Sequence, residues 1–329
     1  MPMRALVTGA TGCVGANVVE ALLARGYEVR AMQRGNSSTA ALVGLRPEMV
    51  VGDVLDIESL TRALSGCDLV FHVAAVSEYW RTPPGQIYNV NVDGTRNVLQ
   101  AAERNRVQRF VFTSSVAVLG RPRYAGEVMT ESHPYNHYRI PFHYGLSKLL
   151  AEAEVQRFIK RGIDAVIVNP ATVIGQRDIH FIGGELIRAA KRGWLLAAPP
   201  GGMGIISAQD VGLGHVLAAE IGRTGERYIL NSENISHTSL MRMVAEVSGS
   251  PSPRFTLPKW TTRFLAFLIY ALSRVGFRFP GVDPIQIYLS SYQMYFDHSK
   301  AAKAFDFTPC SARHAVEQAV TWYQQQGML

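Results

Sequence analysis

The chain has 329 residues, of which 47% are hydrophobic and 18% are charged, a composition that supports a large buried core and excludes a disordered protein. Its three cysteines, Cys13, Cys67 and Cys310, are scattered, which argues against a disulfide framework or a zinc site and favours the reducing cytoplasm. The net charge is +7, but the basic residues are spread out, so the sequence predicts no nucleic-acid partner.

The first predicted elements surround a glycine-rich turn. The segment "MRALVTG" predicts a β-strand, "VGANVVEALLARG" predicts a helix with one apolar face, and "EVRAM" predicts a second strand. Between the first strand and the helix lie Gly9, Gly12 and Gly15, in the pattern TGxxGxxG. In such a unit the glycines allow a tight turn, the approach of a diphosphate to the backbone, and close packing of the helix on the strand. The pattern therefore predicts a dinucleotide-binding turn.

The end of the second strand, "AMQRGNSS", bears on the choice of cofactor. An acid at this position accepts hydrogen bonds from the ribose of NAD, whereas an arginine accommodates the additional phosphate of NADP. Here Gln33 is neutral, Arg34 offers a fork of donors, and Ser37 and Ser38 add hydroxyl groups. The sequence therefore predicts NADP, with NAD as the alternative.

The alternation of strands and helices continues toward the middle of the chain. Strands are predicted at "EMVVGD", "CDLVFHVAA", "RFVFTSSVAV" and "DAVIVNPATVIG", and helices at "SLTRALSG" and "NVDGTRNVLQAAERN". Repeated β-α units predict an α/β fold with a doubly wound parallel sheet, whose ligands bind at the carboxyl ends of the strands. Short polar or small segments follow these strands, at Asp53, His72–Ala74, Ser114–Ser115 and Asn169–Pro170.

The segment "HYGLSK" contains candidate catalytic residues. Tyr144 and Lys148 are four residues apart, so on a helix they share one face, with their Cβ atoms about 5–6 Å apart. We expect the ammonium group to lower the pKa of the phenol and to make Tyr144 a general acid or base near neutral pH. Ser115, at the end of a strand, offers a hydroxyl group that polarises a carbonyl oxygen.

In this order TGxxGxxG, Asp53, "HVAA", "NVDGTRNVL", "TSS" and YxxxK resemble the extended short-chain dehydrogenases/reductases, the NAD-dependent epimerase/dehydratase superfamily, over essentially the whole chain. The resemblance implies a Rossmann domain of residues 1–175 plus about 205–231. It also implies a smaller, discontinuous C-terminal substrate-binding domain, about 176–204 and 232–329, which closes over the nicotinamide. The implied assembly is a homodimer formed through two helices, one of them bearing Tyr144.

The resemblance further implies a role for each site residue. Ser115 binds the reacting oxygen, Tyr144 transfers the proton, and Lys148 also holds the nicotinamide ribose. Asn91 holds the helix of Tyr144 and its water, and no metal is implied. The implied cofactor contacts are Gly9, Thr11, Gly12, Cys13, Val14, Gly15, Arg34, Asp53, Val54, Val73, Ala74, Ala75, Thr113, Ser114, Tyr144, Lys148, Asn169, Pro170, Ala171 and Thr172.

Two positions separate the chain from the sugar-nucleotide epimerases of this superfamily. Thr172 stands where an asparagine of those enzymes contacts the substrate diphosphate, and Leu119 replaces a tyrosine after the catalytic serine. The segments "PATVIG" and "VRAMQR" instead resemble the branch of dihydroflavonol reductases, aldehyde reductases and 3β-hydroxysteroid dehydrogenases. The segments "EYW", "VNPAT", "GQRDI", "GERYIL" and "WYQQQG" resemble the hopanoid-associated sugar epimerases, a bacterial group that is dihydroflavonol-reductase-like in sequence.

The resemblance implies an NADP(H)-dependent oxidoreductase that interconverts a carbonyl and an alcohol on a small or hydrophobic substrate. Two alternatives remain open on the sequence. One is a nucleotide-sugar epimerase or dehydratase with a tightly held cofactor, and the other is a regulatory protein that senses the dinucleotide without catalysis. The intact set of Ser115, Tyr144 and Lys148 argues against the regulatory protein.

An apolar stretch, "TTRFLAFLIYALSRVGFRF", occupies residues 261–279. Ten uncharged residues lie between Arg263 and Arg274, fewer than the ~20 that cross a bilayer. Three interpretations follow: a buried helix of the substrate domain, which the length favours, an interfacial helix in peripheral contact with a membrane, and an apolar wall for a hydrophobic substrate.

Overall fold

The computed structural model describes residues 2–136, 139–277 and 282–329, so residues 278 and 279 of the apolar stretch lie outside the described residues. The strands are β1 (Arg4–Thr8), β2 (Glu28–Gln33), β3 (Glu48–Val51), β4 (Leu69–His72), β5 (Arg109–Thr113), β6 (Val128–Met129), β7 (Ala165–Pro170), β8 (Thr172–Ile174), β9 (Ala197–Ala198), β10 (Gly202–Ser207), β11 (Arg227–Leu230), β12 (Glu233–Ser236), β13 (Phe255–Thr256) and β14 (Gln293–Phe296). The helices are α1 (Cys13–Ala24), α2 (Ile57–Leu64), α3 (Pro84–Tyr88), α4 (Gly94–Arg104), α5 (His143–Ile159), α6 (Glu185–Lys191), α7 (Ala208–Ile221), α8 (His237–Ser248), α9 (Lys259–Arg274), α10 (Pro284–Leu289), α11 (Ser299–Phe305) and α12 (Ala312–Gln325).

Seven parallel strands form the large sheet, in the order β3-β2-β1-β4-β5-β7-β11. From β1 the chain adds strands outward to β3, and it then returns to place β4 on the other side of β1. The strand order therefore reverses between β1 and β4, which opens a crevice at their carboxyl ends. This arrangement confirms the predicted doubly wound α/β fold.

Helices cover both faces of the large sheet. The strand β1 shows why, because Val7 belongs to the apolar core on one face and Leu6 to the core on the other. On the first face α1 packs against α7, and on the second α2 and α5 pack against α4. Each residue of β7 is buried, as expected for a strand covered on both faces.

A second sheet follows the order β12-β10-β14-β6, with β8 also paired to β10. Together with α6, α8 and α12 it encloses a separate apolar core that includes Ile187, Leu240 and Val316. The strand β7 continues almost directly into β8, so the carboxyl end of the large sheet leads into the second sheet. A two-stranded sheet of β9 and β13 completes the described strands.

The helix α9 corresponds to most of the apolar stretch. Of its 16 residues, only Thr262 and Ala266 are buried, so the interpretation as a buried helix is wrong. The reason is that α9 packs mainly on α10, which covers one narrow stripe of its surface. Within the described residues, no helix is long and apolar enough to cross a membrane.

Candidate active site

The glycine turn joins β1 to α1 at the crevice. Gly9 has φ +67°, and a Cβ atom there would lie 2.7 Å from the backbone of Ala74, which follows β4. A Cβ atom on Gly15 would overlap the carbonyl oxygen of Gly9. A Cβ atom on Gly12, by contrast, would lie 3.5 Å from its nearest neighbour, an ordinary contact. The protein itself therefore requires the first and third glycines, whereas the bare surface at Gly12 is free for a ligand.

The first turn of α1 suits an anion. Gly12 precedes the helix without a side-chain cap, and no acidic residue occupies the first turn. The amide groups there carry partial positive charge and point toward the crevice, so a diphosphate fits this surface. Thr11, Cys13 and Val14, predicted as cofactor contacts, line the same turn.

A buried hydrogen-bond chain fixes the loop after β4. The hydroxyl oxygen of Thr8 accepts hydrogen bonds at 3.2 Å from the backbone amides of the two residues that follow His72. Its proton is therefore free for Nδ1 of His72, at 2.8 Å, and Nε2 of His72 lies 3.0 Å from the hydroxyl of Thr95. Burial, assisted by the charge of Lys148, lowers the pKa of His72 to about 3. The imidazole that holds this loop is therefore neutral.

Three of the predicted cofactor contacts, Arg34, Asp53 and Val54, follow β2 and β3. Asp53 uses one carboxylate oxygen to accept a hydrogen bond from the amide of Leu55, and Val54 is buried against Gly94. Arg34 directly follows β2 and is exposed, at the same edge of the sheet. The structure thus brings Arg34, Asp53 and Val54 to the end of the crevice away from β5.

Ser115 and Tyr144 meet beyond the end of β5. Their side chains lie close enough for Ser115 to influence the pKa of Tyr144, and the ring of Tyr144 stacks on Tyr79 with centroids 5.4 Å apart. Burial raises the pKa of Tyr144, while the polar side chain of Ser115 acts in the opposite direction. The expected lowering of this pKa by Lys148 is therefore wrong for the protein alone, because desolvation of the phenol outweighs other effects.

Lys148 is buried and turned toward the end of β5. Its ammonium group donates a hydrogen bond of 2.6 Å to the carbonyl oxygen of Thr113 and lies 4.4 Å from the ring centroid of Phe112. Burial lowers the pKa of Lys148 to about 7, against the opposing effect of the Glu152 carboxylate. The side chain of Lys148 therefore gains or loses its proton near neutral pH, and nearby charges shift the balance.

Asn169 and two residues that the sequence did not indicate, Glu152 and Arg227, hold this region together. Asn169, at the end of β7, donates hydrogen bonds to Glu152 at 2.8 Å and to the carbonyl oxygen of Ser115 at 3.2 Å. Glu152 also forms an ion pair with Arg227 of β11. Asn169 was predicted as a cofactor contact, but its bonds to Glu152 and Ser115 were not. The spacing of Glu152 four residues after Lys148 is the one local signal that indicates this pair.

Asn91 connects the loop after β4 to α5. It lies in a π-helical turn, Asn89–Asp93, and its side-chain oxygen accepts a hydrogen bond from the amide of Val76 at 2.7 Å. Its amide group donates to the hydroxyl of Ser147 at 2.9 Å, and that hydroxyl donates to the carbonyl oxygen of Tyr144 at 2.8 Å. Asn91 thus positions the helix turn that carries Tyr144.

The geometry agrees with comparisons to known proteins. The sequence model of the NAD dependent epimerase/dehydratase family matches residues 5–199. The chain belongs to this family. A putative dihydroflavonol 4-reductase of Synechocystis sp. is 37% identical over 98% of this chain and 94% of the relative. Sterol demethylase protein B of Methylococcus capsulatus is 34% identical over 99% of this chain and 100% of the relative.

Among solved structures, the crystal structure of gox2253 has a TM-score of 0.89 and 36% sequence identity, with 99% of both chains covered. These findings confirm the resemblance to the extended short-chain dehydrogenases/reductases. As a member of the epimerase/dehydratase family, the protein is an NAD(P)-dependent enzyme with the oxidoreductase chemistry of that group.

In this family member, Tyr144 packs against an apolar cluster. Its buried members are Ile140, Phe142, Ala266, Ile285 and Tyr288. Tyr79 and Tyr144 are partly buried against them, so the phenol of Tyr144 lies at the edge of aromatic and aliphatic side chains. Ala266 belongs to α9, so that helix contributes to the apolar cluster beside Tyr144.

Proposed function

We propose that this enzyme is an NADP(H)-dependent oxidoreductase that interconverts a carbonyl and an alcohol on a hydrophobic substrate. The observation that carries the proposal is the closeness of the Ser115 and Tyr144 side chains at the edge of the apolar cluster. Two hydroxyl groups that meet there offer a carbonyl oxygen two donors, and the neighbouring side chains favour apolar rather than phosphorylated substrates.

The cofactor fits the crevice between β1 and β4. The turn from Gly9 to Gly15 would hold the diphosphate, and Lys148, near the ends of β5 and β7, would hold the nicotinamide ribose. Arg34 supports the choice of NADP, because it is exposed at the end of β2 where an acid would favour NAD. When bound, the dinucleotide supplies or accepts the hydride.

The side chains of this protein perform the proton chemistry. Ser115 and Tyr144 hold the reacting oxygen, and during reduction the hydroxyl proton of Tyr144 passes to that oxygen. The resulting phenolate is stabilised by the charge of Lys148, one helical turn away. Asn91 keeps the first turn of α5 in register through Ser147, so the phenol stays directed at the substrate.

The proposed substrate is a hydrophobic ketone or aldehyde. Support comes from the apolar cluster and from relatives whose names refer to a dihydroflavonol and a sterol, both rich in hydrophobic surface. Thr172 also supports it, since a nucleotide-sugar substrate needs a polar contact at this position that a short hydroxyl side chain replaces only in part.

We further propose a cytoplasmic homodimer with residues 1–175 and about 205–231 as the dinucleotide-binding domain. Three free cysteines are compatible with a reducing compartment. The substrate domain comprises about 176–204 and 232–329, and peripheral membrane contact through 261–279 is argued below.

The test combines a substrate panel with the variant Tyr144→Phe. We expect net consumption of NADPH with hydrophobic ketones or aldehydes, and a kcat lower by about 1000-fold in Tyr144→Phe with unchanged affinity for NADPH. Tyr79→Phe is the control, because it keeps the stacked ring beside Tyr144. Isomerisation of a nucleotide sugar without net NADPH consumption would instead identify an epimerase. Full activity of Tyr144→Phe would remove the proposed proton donor.

A further inference from the structure

The outer surface of α9 exposes a continuous apolar stripe. Trp260 is 71% exposed, Phe264 64% and Leu268 44%, and their spacing of four residues places them on one side of the helix. Val275, just past the end of α9, extends the stripe and is also exposed. Exposed aromatic side chains in a row are unusual on a monomeric protein and indicate a surface that contacts something else.

A second exposed apolar segment directly precedes α9 in the chain. The short strands β9 and β13 pair in parallel, so Phe255 lies beside Ala197, and Arg254 donates its backbone amide to the carbonyl oxygen of Leu196. Leu196 and Phe255 are exposed, and Trp194 precedes them with 63% of its surface accessible. We call the exposed apolar residues of the two segments together the α9 face: Trp194, Leu196, Phe255, Trp260, Phe264, Leu268 and Val275.

The charged residues of the chain segment that carries Phe255 and α9 have one sign. Residues 247–282 contain no aspartate or glutamate, whereas Arg254, Lys259, Arg263 and Arg274 belong to this segment. Over the described part of the chain, none of these four cations forms an ion pair with a carboxylate. Two copies of such a surface repel each other, so its charge is complementary to an anionic partner and not to a second copy.

A cleft of about 280 Å³ opens at the first turn of α9. Arg121, Lys259 and Arg263 line it, and Arg263 is held there by a hydrogen bond of 3.2 Å to the hydroxyl of Ser291. Arg123 also lines the cleft, but its charge is compensated by Glu127. Three uncompensated cations in a small cleft provide a site for one phosphate group.

We propose that the α9 face binds the surface of a bilayer that contains anionic phospholipid. The helix has 16 residues, fewer than a membrane span of ~20 requires, so it lies along the interface with Trp260, Phe264 and Leu268 directed into the acyl boundary. The cleft of Arg121, Lys259 and Arg263 receives a headgroup phosphate. Aromatic side chains next to basic residues suit the depth at which headgroups meet acyl chains.

The inner surface of α9 connects the proposed bilayer contact with the residues around Tyr144. Ala266 and the partly buried Phe267 and Tyr270 pack in the apolar cluster that includes Tyr144. One helix therefore contacts both the cluster beside Tyr144 and the proposed bilayer surface, which gives a hydrophobic carbonyl compound a short route from lipid to Tyr144. This route rests on the proposed reductase function, whereas bilayer binding itself does not.

The experiment is co-sedimentation of the full chain with phosphatidylcholine vesicles, with and without about one third phosphatidylglycerol. We expect binding to the anionic vesicles, weaker binding as salt increases, and little binding to phosphatidylcholine alone. The double variant Trp260→Ser/Phe264→Ser is expected to lower the partition coefficient at least about tenfold. Its control, Val43→Ser/Val51→Ser, changes two apolar side chains of similar exposure elsewhere on the surface.

Two charge-reversal variants measure the electrostatic contribution to vesicle binding. Lys259→Glu is expected to weaken binding to anionic vesicles at least about tenfold, whereas Lys160→Glu, on the exposed end of α5, leaves it unchanged. Binding of NADPH, followed by nicotinamide fluorescence, is expected to be the same in all these variants. A failure of bilayer binding with intact NADPH binding would therefore not touch the proposed reductase function.

Three results would overturn the proposal. Equal binding of Trp260→Ser/Phe264→Ser and wild type to anionic vesicles would show that the α9 face is not the contact. A change from dimer to monomer in that variant, with vesicle binding unchanged, would assign the face to a second copy. Binding of millimolar inorganic phosphate, measured by calorimetry, in a protein that does not bind anionic vesicles would show that the cleft recognises free phosphate and not a lipid surface.

Discussion

The carboxylate of Glu152 accepts a hydrogen bond of 2.8 Å from the side-chain amide of Asn169, and this contact joins the middle of α5 to the end of β7. Arg227 compensates the buried carboxylate by an ion pair. Because Glu152 lies one helical turn after Lys148, its negative charge raises the pKa of the lysine, although burial has the larger, opposite effect. The series of interactions from Arg227 through Glu152 therefore adjusts the pKa of Lys148, the cation one helical turn from the Tyr144 phenol.

Glu152→Gln is expected to change the pH dependence of catalysis. The amide keeps a hydrogen bond to Asn169 but removes the charge that raises the pKa of Lys148, so Lys148 loses its proton at lower pH. Since protonated Lys148 stabilises the phenolate, the basic limb of the kcat profile should move to lower pH, and kcat at pH 8 should fall by about tenfold. The measurement is a pH–rate profile with saturating NADPH.

Glu154→Gln is the matched control for that variant. Glu154 lies two residues further along α5 and pairs with Arg96 and Arg157 away from Lys148. Its pH profile should equal that of the wild type. If Glu152→Gln lowers activity equally at every pH, then Glu152 supports the fold and does not tune Lys148.

Two glycines of the turn, Gly12 and Gly15, should respond differently to replacement by alanine. A Cβ atom on Gly15 overlaps backbone, so Gly15→Ala is expected to lower the free energy of unfolding by about 1–3 kcal/mol or more. Gly12→Ala meets only an ordinary 3.5 Å contact and should leave stability nearly unchanged. It should still weaken NADPH binding at least about tenfold, because the methyl group occupies the surface proposed for the diphosphate.

Urea unfolding and NADPH titration measure these two effects separately. Gly26→Ala is unsuitable as a control because Gly26 has φ +80°. The control is Gly35→Ala, because a Cβ atom on Gly35 meets no other atom within 4 Å and Gly35 has no positive φ. Unchanged NADPH affinity in Gly12→Ala would place the diphosphate elsewhere. A stable Gly15→Ala protein would show that the helix can move away from the turn.

Features with local causes were predictable from the sequence. The glycine turn, the parallel sheet and the common helix face of Tyr144 and Lys148 each follow from short-range spacing or repeated β-α units. The direction of the Tyr144 pKa was not predictable, because desolvation depends on side chains that reach the phenol from elsewhere, such as Tyr79. Local spacing described the pair correctly but not its environment.

Long-range partners account for the other differences. Arg227 approaches Glu152 only because β11 is the outermost strand next to β7, a neighbour relationship that no local pattern encodes. The apolar residues of α9 suggested a buried helix, yet few side chains cover them. Composition alone does not show how many residues pack against a helix. Both cases show that residue type predicts secondary structure better than it predicts tertiary contacts.

Arg34 provides a direct test of cofactor preference. It is exposed at the end of β2, so Arg34→Asp should fold normally and place a carboxylate where the 2′-phosphate of NADP would bind. The ratio of NADPH to NADH affinity is expected to fall at least about tenfold. Arg34→Gln, which removes the positive charge without adding a negative one, should give an intermediate ratio. An unchanged ratio in both variants would remove Arg34 from the binding site.

Three buried histidines predict that stability falls in mild acid. Burial lowers the pKa of His72 to about 3 and those of His215 and His237 to about 4, from an ordinary value of 6.5. Between these values the unfolded chain binds protons that the folded protein does not bind. The free energy of unfolding therefore decreases as pH falls below 6.5, by up to about 1.4 kcal/mol per pH unit for each histidine.

Urea unfolding between pH 7.5 and 5 measures this slope, because most carboxylates remain ionised in that range. His237→Gln removes one titrating group, so its slope should be smaller by up to about 1.4 kcal/mol per pH unit, even if its stability at pH 7.5 is lower. The exposed His314→Gln should keep the wild-type slope. Parallel slopes in wild type and His237→Gln would mean that His237 gains its proton in the folded protein as readily as in the unfolded chain.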